Sequence, residues 1–191
     1  VKGRGVEELR DASWKLQPDI VVTRGAIETP EQYIPGMPMD KPWEACLTMG
    51  TEWPYKPTNE VYKTGTQLIE TLIETRAKGG NLLLNVGPKP DGELPIEQEA
   101  LLREIALWTF VNGESIYGVR PWVVTNERNI WFTRKKNTDT VYAFVTGPRW
   151  KFGEWREFTL QSVAATSDTT VSVLGQSGEV LEYQPSVIPR A

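Results

Sequence analysis

Lys78-Gly79-Gly80-Asn81-Leu82-Leu83-Leu84-Asn85-Val86-Gly87-Pro88 decides how the chain folds. Upstream, Leu68, Ile69, Leu72, Ile73 and Ala77 recur at helical spacing, so residues 64–78 form an amphipathic helix. Gly79-Gly80 stops it, because glycine accepts the left-handed geometry of a helix C-terminus. The apolar run 81–86 then reads as a strand buried on both faces, and Gly87 to Gly92 as a turn-rich loop. A second helix spans about 95–111, with Pro95 near its start. Its inward residues are Ile96, Ala100, Leu101, Ile105 and Trp108, and Asn112-Gly113 ends it. Helix, strand, loop, helix is the rhythm of a parallel α/β sheet.

The same rhythm extends upstream. Residues 6–17 read as a short helix, with Glu7 and Glu8 in the first turn and Pro18 as the stop. Asp19 to Thr23 is rich in β-branched residues and reads as a strand. A loop from Arg24 to Lys41 follows, and then a strand within Glu44 to Met49. Beyond Tyr117-Gly118 the pattern changes. Short strand-like runs at 130–133, 140–146, 155–163, 170–174 and 180–183 alternate with turns at 136–137, 147–148, 167–168 and 175–176. That is the pattern of an antiparallel β-sandwich. The expected fold class is therefore α/β followed by all-β, with a first domain at 1–118 and a second, truncated one at 119–191.

Composition prunes the chemistry. The 191 residues carry 21 Lys+Arg and 25 Asp+Glu, a net charge of −4, without a basic stripe for nucleic acid. No apolar run approaches a membrane span. Histidine is absent, so triads and imidazole bases are impossible within the chain. Cys46 is the single cysteine, which excludes an internal disulfide and a multi-cysteine metal site. Carboxylates, Lys and Tyr remain as acid/base groups. Both ends look cut from something longer.

In parallel α/β folds chemistry sits in the loops that follow strands. The loop 24–42 offers Arg24, Glu28, Glu31 and Asp40, the loop 50–60 offers Trp53 and Tyr55, and the loop 87–94 offers Lys89, Asp91 and Glu93. Carboxylates, arginine and tryptophan without histidine suit glycoside hydrolysis, which needs two carboxyl groups. Each of these side chains has a plain alternative as a solvated surface group or an ion-pair partner.

Six motifs occur in a fixed order: Thr29-Pro30-Glu31-Gln32, Pro42-Trp43-Glu44-Ala45-Cys46, Trp53-Pro54-Tyr55, Lys78 to Pro88, Asp91-Gly92, and Val111-Asn112-Gly113-Glu114-Ser115-Ile116-Tyr117-Gly118. Together they resemble the later part of the catalytic domain of α-L-fucosidases, glycoside hydrolase family 29. The tail resembles that family's C-terminal sandwich more loosely, through Val141 to Val145 and Val171 to Gly175. The resemblance implies the second half of a (β/α)8, TIM-like barrel plus the β-sandwich. It implies hydrolysis of terminal α-linked L-fucose by double displacement, with no metal or organic cofactor. The implied partners are a fucosylated glycan and the N-terminal half of the same enzyme, with neither nucleic acid nor membrane. Secreted, periplasmic or lysosomal placement is implied in the same way.

The resemblance assigns Glu31 as acid/base, with Glu28 or Glu44 next in line. Arg24 and Trp53 become substrate-binding residues, Trp53 beside the methyl group of fucose. The family's Trp-x-Asp nucleophile motif is absent, so the nucleophile is expected upstream, and the chain alone is expected to be incomplete and inactive. The sequence departs from the family in having Trp53-Pro54-Tyr55 where Trp-Gly-Tyr is common, and Gly25-Ala26-Ile27 before Glu28. Two other readings stay open. One is a retaining hydrolase for another sugar. The other is a non-catalytic carbohydrate-binding or scaffold protein with an incomplete barrel. Exposed Trp150 and Trp155 would also suit an interaction domain, although the expectation is that they pack the sandwich.

Overall fold

The computed structural model describes residues 5–22, 27–151, 153–176 and 183. The elements in chain order are α1 (Val6–Leu16), β1 (Glu44–Thr48), α2 (Gly65–Ala77), β2 (Asn81–Asn85), α3 (Ile96–Ile116), β3 (Val119–Glu127), β4 (Ile130–Lys135) and β5 (Val141–Val145). The fold is mixed α/β. The chain divides into two compact units, residues 1–105 and 106–191, and the division falls inside α3.

In the first unit β1 and β2 pair in parallel, from Glu44↔Asn81 to Thr48↔Asn85. Alternate residues of β1 meet opposite environments. Trp43, Ala45 and Leu47 form a buried cluster, with Ile34, Met39 and Leu82 packed against it. A Cβ on Gly80 would lie 2.4 Å from the Trp43 ring, so this glycine is what lets the indole close over the start of β2. The other face, with Cys46 and Leu83 in register, is more open: Leu83 is 49% exposed. The expectation that β2 is buried on both faces is therefore corrected for this chain. Three consecutive leucines fix a strand but do not say what covers each side of it.

α2 begins where Thr64 and Gln67 form a reciprocal capping box, Gln67 N–H donating to Thr64 Oγ1 at 3.2 Å and Thr64 N–H to Gln67 Oε1 at 2.8 Å. This satisfies two of the donors that every helix start leaves open. The end is closed by Gly79 at φ 82°, with Gly80 N–H donating to the Thr75 carbonyl at 2.9 Å.

Two expectations for the N-terminal region are corrected. None of the described residues of the 19–23 run is in a strand, and Val21 is 71% exposed. The pairing falls instead at 28–32, inside what reads as a loop. Glu28 pairs with Trp43 and Glu31 with Cys46, both in parallel, on the edge of β1 away from β2. Glu44 N–H donates to the Glu28 carbonyl (2.9 Å), Cys46 N–H to the Pro30 carbonyl (2.9 Å) and Gln32 N–H to the Cys46 carbonyl (3.0 Å). The ladder lacks the bond that the nitrogen of Pro30 would make. Proline has no N–H to give, and so is confined to strand edges and interruptions.

α3 also differs from expectation. It runs on through Asn112-Gly113 to Ile116, and Gly118 at φ 66° follows its end. Ile96, expected inward, is 75% exposed. Tertiary partners override the local stop. Thr133 of β4 donates its hydroxyl to the Ser115 carbonyl at 2.8 Å, so one of the last helix carbonyls is satisfied.

In the second unit β3, β4 and β5 form an antiparallel sheet in that order, with a register shift between Pro121 and Asn126. Ile130, Phe132 and Thr133 of the central strand are buried. β3 begins at the expected domain boundary and has no counterpart in the expected strand list. Residues 155–163 form no strand, 170–174 contributes a single bridge at Ser172, and of 180–183 only Tyr183 is among the described residues. The expected sandwich is thus reduced to one three-stranded sheet among the described residues. Short β-branched runs are ambiguous between strand and extended loop when no partner strand is known.

Candidate active site

The 28–32 segment, β1 and β2 run in the same direction, so their carboxyl ends lie on one side. Side chains on the segments that leave those ends gather there. Glu31 sits at the end of the first of the three. It shares a register row with Cys46 and is solvent-exposed in this chain. Its backbone is fixed on both sides, by the Pro30 carbonyl before it and the Gln32 N–H after it, each bonded to Cys46. Gln32 then turns the chain away at φ 62°. The Gln32 amide meets the buried Thr48 hydroxyl at 3.3 Å, which ties the turn to the end of β1.

Trp53 lies in the segment that leaves β1, with the residue 37% exposed. Its carbonyl accepts from Asn85 Nδ2 at 2.7 Å, which anchors the segment to the end of β2. Gly87 completes the seat: a Cβ there would stand 2.7 Å from the Tyr55 nitrogen and 2.8 Å from the Pro54 carbonyl carbon. The glycine of the sequence motif is thus required by close backbone approach, which the turn reading did not foresee. Gly87 N–H in turn donates to Oε1 of buried Gln98, at 3.0 Å, from the first turn of α3.

Glu60 closes the same segment. Its carboxylate accepts from Thr51 N–H (2.6 Å), Thr51 Oγ1 (2.8 Å) and Val61 N–H (3.0 Å). The Thr51 backbone donor, against the opposing effect of partial desolvation, holds the Glu60 carboxyl below its ordinary value, helped by the Thr51 hydroxyl, Val61 N–H and Lys56. Lys63 donates to the Thr48 carbonyl at 2.5 Å, and burial pushes its ammonium below the usual lysine range. Glu60, Lys63, Asn85 and Gln98 are positioning residues that sequence reasoning missed. An isolated polar residue in a loop or on a helix carries no sequence signal of its distant backbone partner.

A groove of about 640 Å³ opens between the 55–62 segment and the start of α3, with Tyr55, Lys56, Tyr62, Lys89 and Glu93 among its lining. Neither Glu31 nor Trp53 lines it. Arg24 lies outside the described residues. The structure therefore puts Glu31 and Trp53 on the same end of adjoining parallel segments, each with a fixed backbone. Chemically, a carboxyl group and an indole in that setting can serve proton transfer and packing against a sugar ring. Among the described residues no cluster of three or more acidic or thiol side chains is arranged to hold a metal ion.

The sequence model of the Alpha-L-fucosidase family matches residues 12–114. Tissue alpha-L-fucosidase of Rattus norvegicus is 37% identical over 160 residues, 78% of this chain and 32% of that protein. An alpha-L-fucosidase of Dictyostelium discoideum is 37% identical over 140 residues, covering 72% and 30%. Among solved structures, alpha-L-fucosidase isoenzyme 1 from Paenibacillus thiaminolyticus superposes with a TM-score of 0.64 at 31% identity, covering 70% of this chain and 37% of that one. The alpha-fucosidase of Thermotoga maritima in complex with fucose superposes with a TM-score of 0.57 at 31% identity, covering 70% and 34%. The chain spans about a third of the length of the curated relatives it matches.

Proposed function

The chain belongs to the alpha-L-fucosidase family, and on that footing we propose that it is part of a glycoside hydrolase that removes terminal α-linked L-fucose from glycans with retention of configuration. The 28–32 segment, β1 and β2 are read as successive strands of a (β/α)8 barrel, and the β3–β5 sheet as part of a β-sandwich. Glu31 is the acid/base. It protonates the departing glycosidic oxygen, then takes a proton from the water that releases the sugar. The nucleophile is an aspartate on the portion of the relatives' length that these 191 residues do not cover. Its carboxyl group stands roughly 5–5.5 Å from that of Glu31, as retention requires. Arg24 contacts sugar hydroxyls through its planar donor fork. Trp53 packs against the methyl side of the 6-deoxy sugar.

The observation that carries this reading is the parallel ladder between 28–32 and β1, which sets Glu31 at the carboxyl end of a strand with its backbone held on both sides. The partners are a fucosylated glycan and a polypeptide supplying the rest of the barrel, and the enzyme works in a secreted, periplasmic or lysosomal setting. The chain by itself is inactive.

The test is a panel of nitrophenyl glycosides presented to the enzyme completed to full family length. Turnover of the α-L-fucoside well above that of the β-fucoside, α-galactoside and α-rhamnoside supports the proposal. Preference for another sugar moves it to that substrate, and glycan binding without any hydrolysis replaces it with a carbohydrate-binding role.

A further inference from the structure

Glu31 is followed at once by a residue in an unusual conformation. Gln32 takes φ 62°, in the left-handed region that a side chain such as glutamine seldom adopts. Such a conformation persists only where its surroundings hold it. Two bonds to β1 do so here. Gln32 N–H donates to the Cys46 carbonyl at 3.0 Å, and the side-chain amide meets Thr48 Oγ1 at 3.3 Å.

The second contact has a direction. A hydroxyl has one hydrogen to give. Thr48 gives it to the Gly50 carbonyl, at 2.6 Å the shorter contact, because a carbonyl can only accept. Toward Gln32 the hydroxyl is therefore the acceptor, and the amide presents Nε2 rather than Oε1. Thr48 is 1% exposed, so bulk water does not compete for its hydroxyl. Behind it, Lys63 Nζ donates to the Thr48 carbonyl at 2.5 Å and reaches the Gly50 carbonyl at 3.4 Å. A buried hydroxyl at the end of β1 is thus the fixed point against which the Gln32 turn is set, one peptide from Glu31. We propose that Thr48 is a positioning residue for acid/base catalysis: its hydroxyl, through Gln32 Nε2, holds the left-handed turn that aims the Glu31 carboxyl group at the departing glycosidic oxygen. This rests on the proposed function, in which Glu31 is the acid/base.

The test uses the enzyme completed to full family length, carrying Thr48→Val, Thr48→Ser, Gln32→Leu or Thr48→Val with Gln32→Leu. Each is assayed on dinitrophenyl α-L-fucoside, whose leaving group departs without a proton, and on methyl α-L-fucoside, whose leaving group needs one. The readout is kcat/KM, which reports the step that breaks the glycosidic bond. A misplaced proton donor slows mainly the second substrate, whereas a loosened site slows both. Thr48→Val and Gln32→Leu should each lose at least about tenfold on the methyl fucoside and less than about threefold on the dinitrophenyl fucoside. Thr48→Ser keeps the hydroxyl and should retain most of the activity. The double variant should fall no further than either single one, because both remove the same bond. Gln32 is exposed, so Gln32→Leu leaves the core closed and carries the test should Thr48→Val fail to fold. Equal losses on both substrates, no loss on either, a serine variant as impaired as the valine one, or losses that multiply in the double variant would overturn the inference. Glu31→Ala, assayed alongside, keeps the two readings apart. If it shows the leaving-group dependence and the Thr48 and Gln32 variants do not, the inference fails and the acid/base assignment stands. If Glu31→Ala loses equally on both substrates, the assignment itself fails and the inference falls with it.

Discussion

The parallel sheet of the first unit and the antiparallel sheet of the second bury their residues differently. β1 hides Trp43, Ala45 and Leu47 on one side, while the Glu31–Cys46–Leu83 row opposite stays partly open. β4 has its buried residues as neighbours on a central strand, Phe132 beside Thr133, flanked by β3 and β5. The first sheet therefore exposes strand ends, where loops present chemistry. The second exposes no such common end, because its strands alternate in direction, and exposed apolar groups such as Val123 of β3 are spread along it. Direction of pairing is what separates a sheet that can gather side chains at one end from a sheet that serves as a support.

The largest stability effects should come from the two cores. Trp43→Ala and Phe132→Ala each remove a ring that is at most 1% exposed, and each should cost about 3–5 kcal/mol in urea unfolding. If the units are independent, the two substitutions shift different transitions. A single shared transition would break the comparison.

Gly80→Ala comes next. The added methyl would meet the Trp43 ring at 2.4 Å, and overpacking of this kind costs about 1–3 kcal/mol. Thermal unfolding of the first unit reports it, and no change would mean the indole is not clamped.

Gly87→Ala presses on backbone at Tyr55 and Pro54 rather than on a side chain. In the enzyme completed to full family length it should move the Trp53 segment and, on the proposed function, raise KM for the α-L-fucoside. An unchanged KM would remove Trp53 from the substrate site.

The smallest effect is acid sensitivity. The Glu60 carboxyl is held below its ordinary value of 4.5 by the donors around it. A depressed folded-state value contributes stability above the unfolded value, and that contribution is lost as pH falls through the folded value. The protection of the Thr51 and Val61 amides, their exchange rate relative to the intrinsic rate at each pH, should therefore fall below about pH 4.5 in the wild type. In Glu60→Gln that protection should be lower at neutral pH and flatter with pH. Protection that rises on acidification would contradict the sign.

Legibility in the sequence followed the range of the interaction. α2 could be read almost to the residue because its signals, Thr64 to Gln67 and Gly79-Gly80, act within one turn. β1 and β2 were legible from apolar runs bounded by turn residues. The 28–32 pairing was hidden by Pro30, whose missing N–H makes a strand look like a loop. β3 was hidden because Pro121 and the register shift beside it break the alternation. Glu31 and Trp53 could be named from motif resemblance, yet their supports, Gln32–Thr48 and Asn85–Trp53, join residues 16 and 32 apart in sequence. No local pattern encodes those.

The most direct test of the account is the leaving-group dependence of Glu31→Ala in the full-length enzyme. The account predicts a loss of about 10²–10⁴-fold on a natural glycan, which needs a proton on the departing oxygen, and a much smaller loss on a dinitrophenyl fucoside. Azide should then restore turnover of the activated substrate as a fucosyl azide. Equal losses on both substrates, with no response to azide, would take the proton-transfer role away from Glu31.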